Sequence, residues 1–158
     1  MSQGLARTLN PWRQGCQVDS EYAVSMGWIK AEEVESLLVV ITHDCDLQSS
    51  VEPDVELLRA TFVNAVSGGH THGKNPRVLH IPNALGANGA LEITYKDQLK
   101  VPKEQLLASD PANTLMDSDR IQLATWLASR YKRAPFPDSF NQRLKKARTV
   151  LSTKLKSK

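Results

Sequence analysis

The chain has 158 residues, of which 41% are hydrophobic and 23% charged, and its formal net charge at neutral pH is +3. These values are those of one ordinary globular domain. No apolar run approaches the roughly 20 residues of a membrane-spanning helix, which excludes that class. The first residues lack the apolar core of a secretory signal, and only two cysteines occur. We therefore expect a cytoplasmic protein with free thiols and no membrane association.

Most of the chain up to residue 115 has the pattern of short strands separated by turns. The clearest strand is predicted at residues 37–42, where a continuous apolar run indicates burial. The other predicted strands are a short one ending near residue 18 and those at residues 22–29, 55–63, 77–81 and 90–95. Strands at this spacing predict an antiparallel sheet or a small barrel.

The pattern changes to helical after residue 116. One helix is predicted from Asp119 to about Lys132, capped by Asp117 or Ser118. A second is predicted after the prolines at 135 and 137, with an apolar stripe at Phe140, Leu144, Ala147, Leu151 and Leu155. The predicted fold class is therefore α+β. A β-barrel-like or sheet body in residues 1–115 is followed by a helical, basic extension, residues 116–158, packed on the same domain.

Charge is distributed unevenly along the chain. Residues 30–56 carry eight acidic side chains against one lysine, whereas residues 133–158 carry eight basic side chains against one aspartate. An acidic start and a basic end can fold onto each other, or the basic end can bind a polyanion. The predicted nucleic-acid contacts are Lys74 and Arg77 beside a glycine-rich loop, and Arg143, Lys145, Lys146 and Arg148 in the last helix.

A histidine, a cysteine and two carboxylates follow directly on the strand predicted at residues 37–42. If that strand continues, side-chain alternation places His43 and Cys45 on one face and Asp44 and Asp46 on the other. On the first face, Cys45 would be a nucleophile or a metal ligand with His43 beside it.

The second face suggests a different chemistry. Asp44 and Asp46, with Glu56, would bind a divalent cation for phosphodiester cleavage, and His43 would be a general base. A structural interpretation stands against both chemistries. In that interpretation Cys45 is a small buried residue and the aspartates close or cap a turn.

Two further histidines, His70 and His72, lie in a glycine-rich loop. Together with His43, Cys45 or Cys16 they could complete a tetrahedral zinc site. The simpler interpretation is that both histidines are solvated on the loop.

Three short segments also resemble the opening of a known family. They are Arg13-Gln14-Gly15-Cys16-Gln17-Val18, Leu38-Val39-Val40-Ile41-Thr42-His43-Asp44 and Glu56-Leu57-Leu58-Arg59-Ala60-Thr61. Over about 50 residues the pattern is similar to that of the MazF/PemK toxin ribonucleases. The resemblance implies a small SH3-like barrel, a dimer and metal-independent RNA cleavage. Ser36 and Leu37 stand where that family has Arg-Pro, so its catalytic residues are not carried over.

Together these features predict a small cytoplasmic protein associated with nucleic acid. If it is an enzyme, phosphodiester hydrolysis with a divalent metal, as in a nuclease, is the reaction to test first. The alternative is a non-enzymatic interaction or regulatory module of a larger complex, whose acidic and basic ends match a protein partner.

Overall fold

The computed structural model describes residues 10–33 and 35–132. They form a curled, half-barrel sheet of six antiparallel strands with helices on both faces, which confirms the α+β class and the sheet body. In chain order the strands are β1 (Cys16–Gln17), β2 (Ser36–Val40), β3 (Asp54–Val63), β4 (Val78–Pro82), β5 (Ala90–Pro102) and β6 (Asn113–Thr114). Their order across the sheet is β4-β5-β3-β2-β1-β6.

Within residues 10–33 and 35–132, four α-helices connect or cover these strands. They are α1 (Ser20–Ser25), α2 (Asp44–Gln48), α3 (Lys103–Leu107) and α4 (Asp117–Lys132). Helix α4 confirms the helix predicted at 119–132 and begins two residues earlier. The second predicted helix lies outside the described residues. None of the helices within the described ranges is both long and apolar enough to span a membrane.

Both faces of the sheet are buried at its centre. Leu37 and Val39 of β2 point into one core, which α4 covers with Leu123 and Trp126. The alternate residues of β2 point into a second core, which includes Trp12 and residues of α1 and α3. A strand covered on both sides needs apolar residues at every position, and this explains the continuous apolar run in the sequence.

Two of the sequence predictions were wrong in this region. The strand predicted at 22–29 does not form: residues 22–25 belong to helix α1, which Asp19 caps by accepting a hydrogen bond from the Tyr22 amide at 2.9 Å, and residues 26–29 form a turn. The strand predicted to reach residue 42 ends at Val40. The chain then turns, and the polar residues that follow belong to α2.

A bulge shapes the long strand β5. Ala60 of β3 pairs with Ile93, but Leu58, two residues earlier, pairs with Gln98. The extra residues of β5 bend the strand and increase its twist. The first half of β5 therefore also pairs with the edge strand β4, whereas its second half continues along β3 alone.

Candidate functional site

The predicted polar cluster begins at the N-terminus of α2. His43 has an extended backbone and is the N-cap, because its Nδ1 accepts a hydrogen bond from the Cys45 amide at 3.3 Å. Since residues 44–48 are helical, the alternation expected of a strand does not apply. The separation into a His/Cys face and an Asp/Asp face required a continued strand, and because the strand ends at Val40 it does not occur.

Helix α2 brings three of the four polar side chains together. The Cys45 Sγ lies 3.0 Å from His43 Nδ1 and 3.4 Å from Asp46 Oδ1. All three residues are exposed, so the interpretation of Cys45 as a buried residue is wrong. The hydrogen bond to the Asp46 carboxylate raises the pKa of the Cys45 thiol. Because the thiolate is the nucleophilic form, this environment disfavours attack by Cys45 at neutral pH.

Asp44 points away from this group and joins three parts of the chain. Its Oδ1 accepts a hydrogen bond from the Gln14 amide at 2.7 Å, and its Oδ2 accepts one from Arg120 Nη2 at 2.8 Å. Arg120 also donates from Nε to the Gln14 carbonyl at 2.8 Å and is itself largely buried. The network links α4, α2 and the turn before β1, so the Asp44 carboxylate has a structural role.

Gly15 makes this network possible. Its φ is +89°, a value that L side chains rarely adopt, and a Cβ at this position would lie 2.9 Å from Arg120 Cγ. The turn that places the Gln14 amide beside the Asp44 carboxylate therefore requires glycine at position 15. This gives a structural reason for the Gln14-Gly15 pair.

The predicted cation site at Asp44, Asp46 and Glu56 is not assembled in the part of the chain that the structure describes. The ligand atoms of these three side chains do not all lie within 4.8 Å of one another. Glu56 is exposed on β3, and its amide donates to Thr42 Oγ1 at 2.6 Å. The catalytic role of these residues stays a prediction.

Lys103, which the sequence analysis did not single out, holds the C-terminal end of α2. Its side chain is buried, and Nζ donates to the carbonyls of Asp46 at 2.6 Å and Ser49 at 2.7 Å. The Asp46 carbonyl also accepts from the Ser49 amide at 3.2 Å, so Lys103 adds a second donor there and supplies one to the Ser49 carbonyl beyond the helix. No sequence pattern identifies Lys103, because the contact spans more than 50 residues.

A second group of polar residues lies at the β4 edge of the sheet. His80 of β4 and Glu92 of β5 are direct cross-strand partners, and His80 Nε2 lies 2.7 Å from Glu92 Oε2. His70 precedes a short 3-10 turn (Thr71–Gly73), and its Nδ1 lies 3.2 Å from His80 Nε2. His80 is buried, while His70 and Glu92 are half-buried.

The backbone of the loop fixes the orientation of the His80 ring. The Ser67 amide donates to His80 Nδ1 at 3.1 Å, and the His80 amide donates to the His70 carbonyl at 2.9 Å. Because Nδ1 accepts a hydrogen bond, the neutral ring carries its proton on Nε2 and donates it to Glu92.

The zinc set predicted from the sequence is only partly recovered. His70 belongs to a potential metal-binding group, but its partners are His80 and Glu92. His72 is exposed, with a left-handed φ of 53°. Cys16 is buried near Thr114, and its sulfur accepts a hydrogen bond from the Arg13 amide. His80 and Glu92 were missed because only the register of β4 against β5 places them opposite each other.

The predicted nucleic-acid contacts fall into two sets. Lys74 and Arg77 are exposed at the end of the glycine-rich loop, where Lys74 Nζ donates to the Gly68 carbonyl at 3.1 Å. The other four, Arg143, Lys145, Lys146 and Arg148, lie outside the described residues.

Comparisons with protein-family models, with curated proteins and with solved structures found no match. The resemblance to the MazF/PemK toxins therefore stays a prediction.

Proposed function

We propose that this protein binds nucleic acid electrostatically through its basic segment, residues 133–158. The observation that carries the proposal is the opposite charge of this segment and of the folded body. Residues 10–132 carry 16 acidic and 11 basic side chains, a net charge of −5, whereas residues 133–158 carry eight basic and one acidic, a net charge of +7. A polyanion would be attracted to the segment and repelled by most of the body.

The contacts within the body support this division. Arg59, Lys100 and Arg120 form ion pairs with carboxylates. Lys103 is buried against two carbonyls, and the Arg130 guanidinium lies over an aromatic ring. About half of the basic side chains of the body are therefore already engaged in intramolecular contacts. The segment 133–158 adds eight basic residues to these, which supports phosphate binding there.

Binding of this kind neutralises phosphates and releases counterions, so it has little dependence on base sequence. Nucleic acid is the polyanion that we favour, because closely spaced lysines and arginines suit a phosphate backbone. The competing alternative is an acidic protein partner.

Two matched double variants test the proposal on the full chain. Lys145→Gln with Lys146→Gln removes two positive charges from the basic segment, and Lys30→Gln with Lys96→Gln removes two from exposed positions of the body. Fluorescence anisotropy with a labelled 20-nucleotide RNA at low salt should show binding by the natural chain. The first pair should weaken this binding about tenfold or more, and the control pair about twofold or less.

Equal effects of the two pairs would contradict a role for the basic segment. No binding of RNA or DNA by the natural chain, together with salt-sensitive binding to an acidic protein, would favour the interaction module instead.

A further inference from the structure

We infer that His70, His80 and Glu92 form a binding site for a transition-metal dication such as Zn²⁺. The inference is independent of nucleic-acid binding, because it rests on side chains of the folded body. Among residues 10–33 and 35–132, this is the one group of three His, Cys, Asp or Glu side chains whose ligand atoms all lie within 4.8 Å of one another.

The donor set matches a known preference of zinc. Two imidazoles and one carboxylate are the three protein ligands of several catalytic zinc sites, in which the fourth position holds water or substrate. Zinc–ligand bonds of about 2.0–2.1 Å at tetrahedral angles place neighbouring ligand atoms about 3.3 Å apart. The 3.2 Å between His70 Nδ1 and His80 Nε2 already fits this geometry. The 2.7 Å between His80 Nε2 and Glu92 Oε2 would have to widen by roughly 0.6 Å.

The backbone holds the three ligands in place. His80 and Glu92 are directly opposite in the β4–β5 pair, so their separation is set by the register of the sheet. The hydrogen bond from the His80 amide to the His70 carbonyl fixes the loop beside the edge strand. The sheet register therefore already brings two of the three ligands together, and metal binding would not have to order them from separate parts of the chain.

The Ser67 amide makes metal binding depend on the loop. This amide donates to His80 Nδ1, which leaves the ring proton on Nε2, the atom that a metal would bind. A metal on Nε2 requires the proton on Nδ1, which would then face the Ser67 N–H. The peptide between Val66 and Ser67 must therefore turn and present its carbonyl to Nδ1. This turn changes ψ of Val66 and φ of Ser67, and both residues are exposed on the loop, where little packing opposes the change.

The site is open on one side. His80 is almost fully buried, but the Glu92 side chain is 32% exposed and His70 is half-buried. The fourth coordination position would therefore face solvent beside Glu92. A zinc ion there would carry a water molecule, as in the open sites that activate water.

Metal titration of the full chain tests the inference. After dialysis against a chelator, calorimetry with ZnCl₂ and native mass spectrometry should show one zinc ion per chain. His70→Ala and Glu92→Gln should each weaken zinc binding at least about tenfold. Glu92→Gln keeps an oxygen that accepts the hydrogen bond from His80, so circular dichroism should remain that of the natural chain. The matched controls His72→Asn and His43→Asn should leave zinc affinity unchanged.

An amide NMR spectrum shows where on the chain the zinc binds. At a zinc concentration near the dissociation constant of the natural chain, zinc should shift the Ser67 amide resonance strongly in the natural chain and much less in Glu92→Gln. The inference would be overturned if no zinc binds at a one-to-one ratio, or if His70→Ala and Glu92→Gln bind zinc as tightly as the natural chain does.

Discussion

Asp44 on α2 and Arg120 on α4 form an ion pair with 2.8 Å between Asp44 Oδ2 and Arg120 Nη2. The same guanidinium donates to the Gln14 carbonyl, and the Gln14 amide donates to the other Asp44 oxygen. Each donor and acceptor in this network of Gln14, Asp44 and Arg120 has a partner, and this stabilises the partly buried charges. Asp44, which the sequence predicts to be part of a catalytic site, therefore joins α2, α4 and the turn before β1.

Asp44→Asn should destabilise the fold. The asparagine keeps an oxygen for the Gln14 amide, but its amide nitrogen then faces the donor of Arg120 and leaves that cation without its closest partner. Because the Asp44 side chain is 45% exposed, we expect a loss of about 1–2 kcal/mol in the free energy of unfolding. Urea denaturation measures this loss.

Asp46→Asn is the matched control for Asp44→Asn, because Asp46 is exposed and lies on the same helix. It should change the free energy of unfolding by about 0.5 kcal/mol or less. Equal stability of the Asp44→Asn chain and the natural chain would contradict the structural role of the Gln14–Asp44–Arg120 network.

Lys103→Met should also destabilise the fold, because it keeps the apolar stem of the side chain and removes its three donors. The Ser49 carbonyl then loses its lysine donor, and the Asp46 carbonyl keeps only the Ser49 amide as a donor, at 3.2 Å. We expect a cost of about 1–3 kcal/mol. Lys100→Met serves as the comparison, since the Lys100 side chain is 66% exposed and, among the residues that the structure describes, forms an ion pair with Asp54 alone. Equal urea midpoints for the two variants would show that the Lys103 contacts do not matter.

Cys45 should react slowly with iodoacetamide at neutral pH although it is exposed. The Asp46 carboxylate raises the pKa of the thiol, so the thiolate fraction is small and increases only at more alkaline pH. Asp46→Asn removes the main cause of the shift and should move the pH–rate profile of alkylation to lower pH. Asp97→Asn, which changes an exposed acid on β5, should leave the profile unchanged. A natural thiol that reacts fully at pH 7 would instead support a nucleophilic Cys45.

The sequence predicted most of the sheet because burial leaves a local pattern. Strand β2 is covered on both faces, and its apolar run is visible without any knowledge of its neighbours. Helix α1 was missed because Tyr22, Val24 and Trp28 suggested a strand, whereas the Asp19 cap and the contact of Tyr22 with Trp28 favour a helical turn. Over so short a segment, this local cap and contact outweigh strand propensity.

The candidate site was less predictable because its geometry depends on pairing between distant residues. Asp44 and Asp46 share a face only if the strand before His43 continues through them. The strand ends earlier, at Val40, because the chain turns into α2. His80 and Glu92 are 12 residues apart, and they meet only because β4 and β5 pair in one particular register. Neither fact is visible in the local sequence.

The salt dependence of RNA binding by the full natural chain tests the proposed function most directly. If most of the eight basic residues of 133–158 contact phosphates, log K against log salt concentration should have a slope of about −4 to −6 for a single strand. Lys145→Gln with Lys146→Gln should reduce the magnitude of this slope by about 1.4. A slope near zero, or an unchanged slope in this double variant, would contradict nucleic-acid binding by the basic segment.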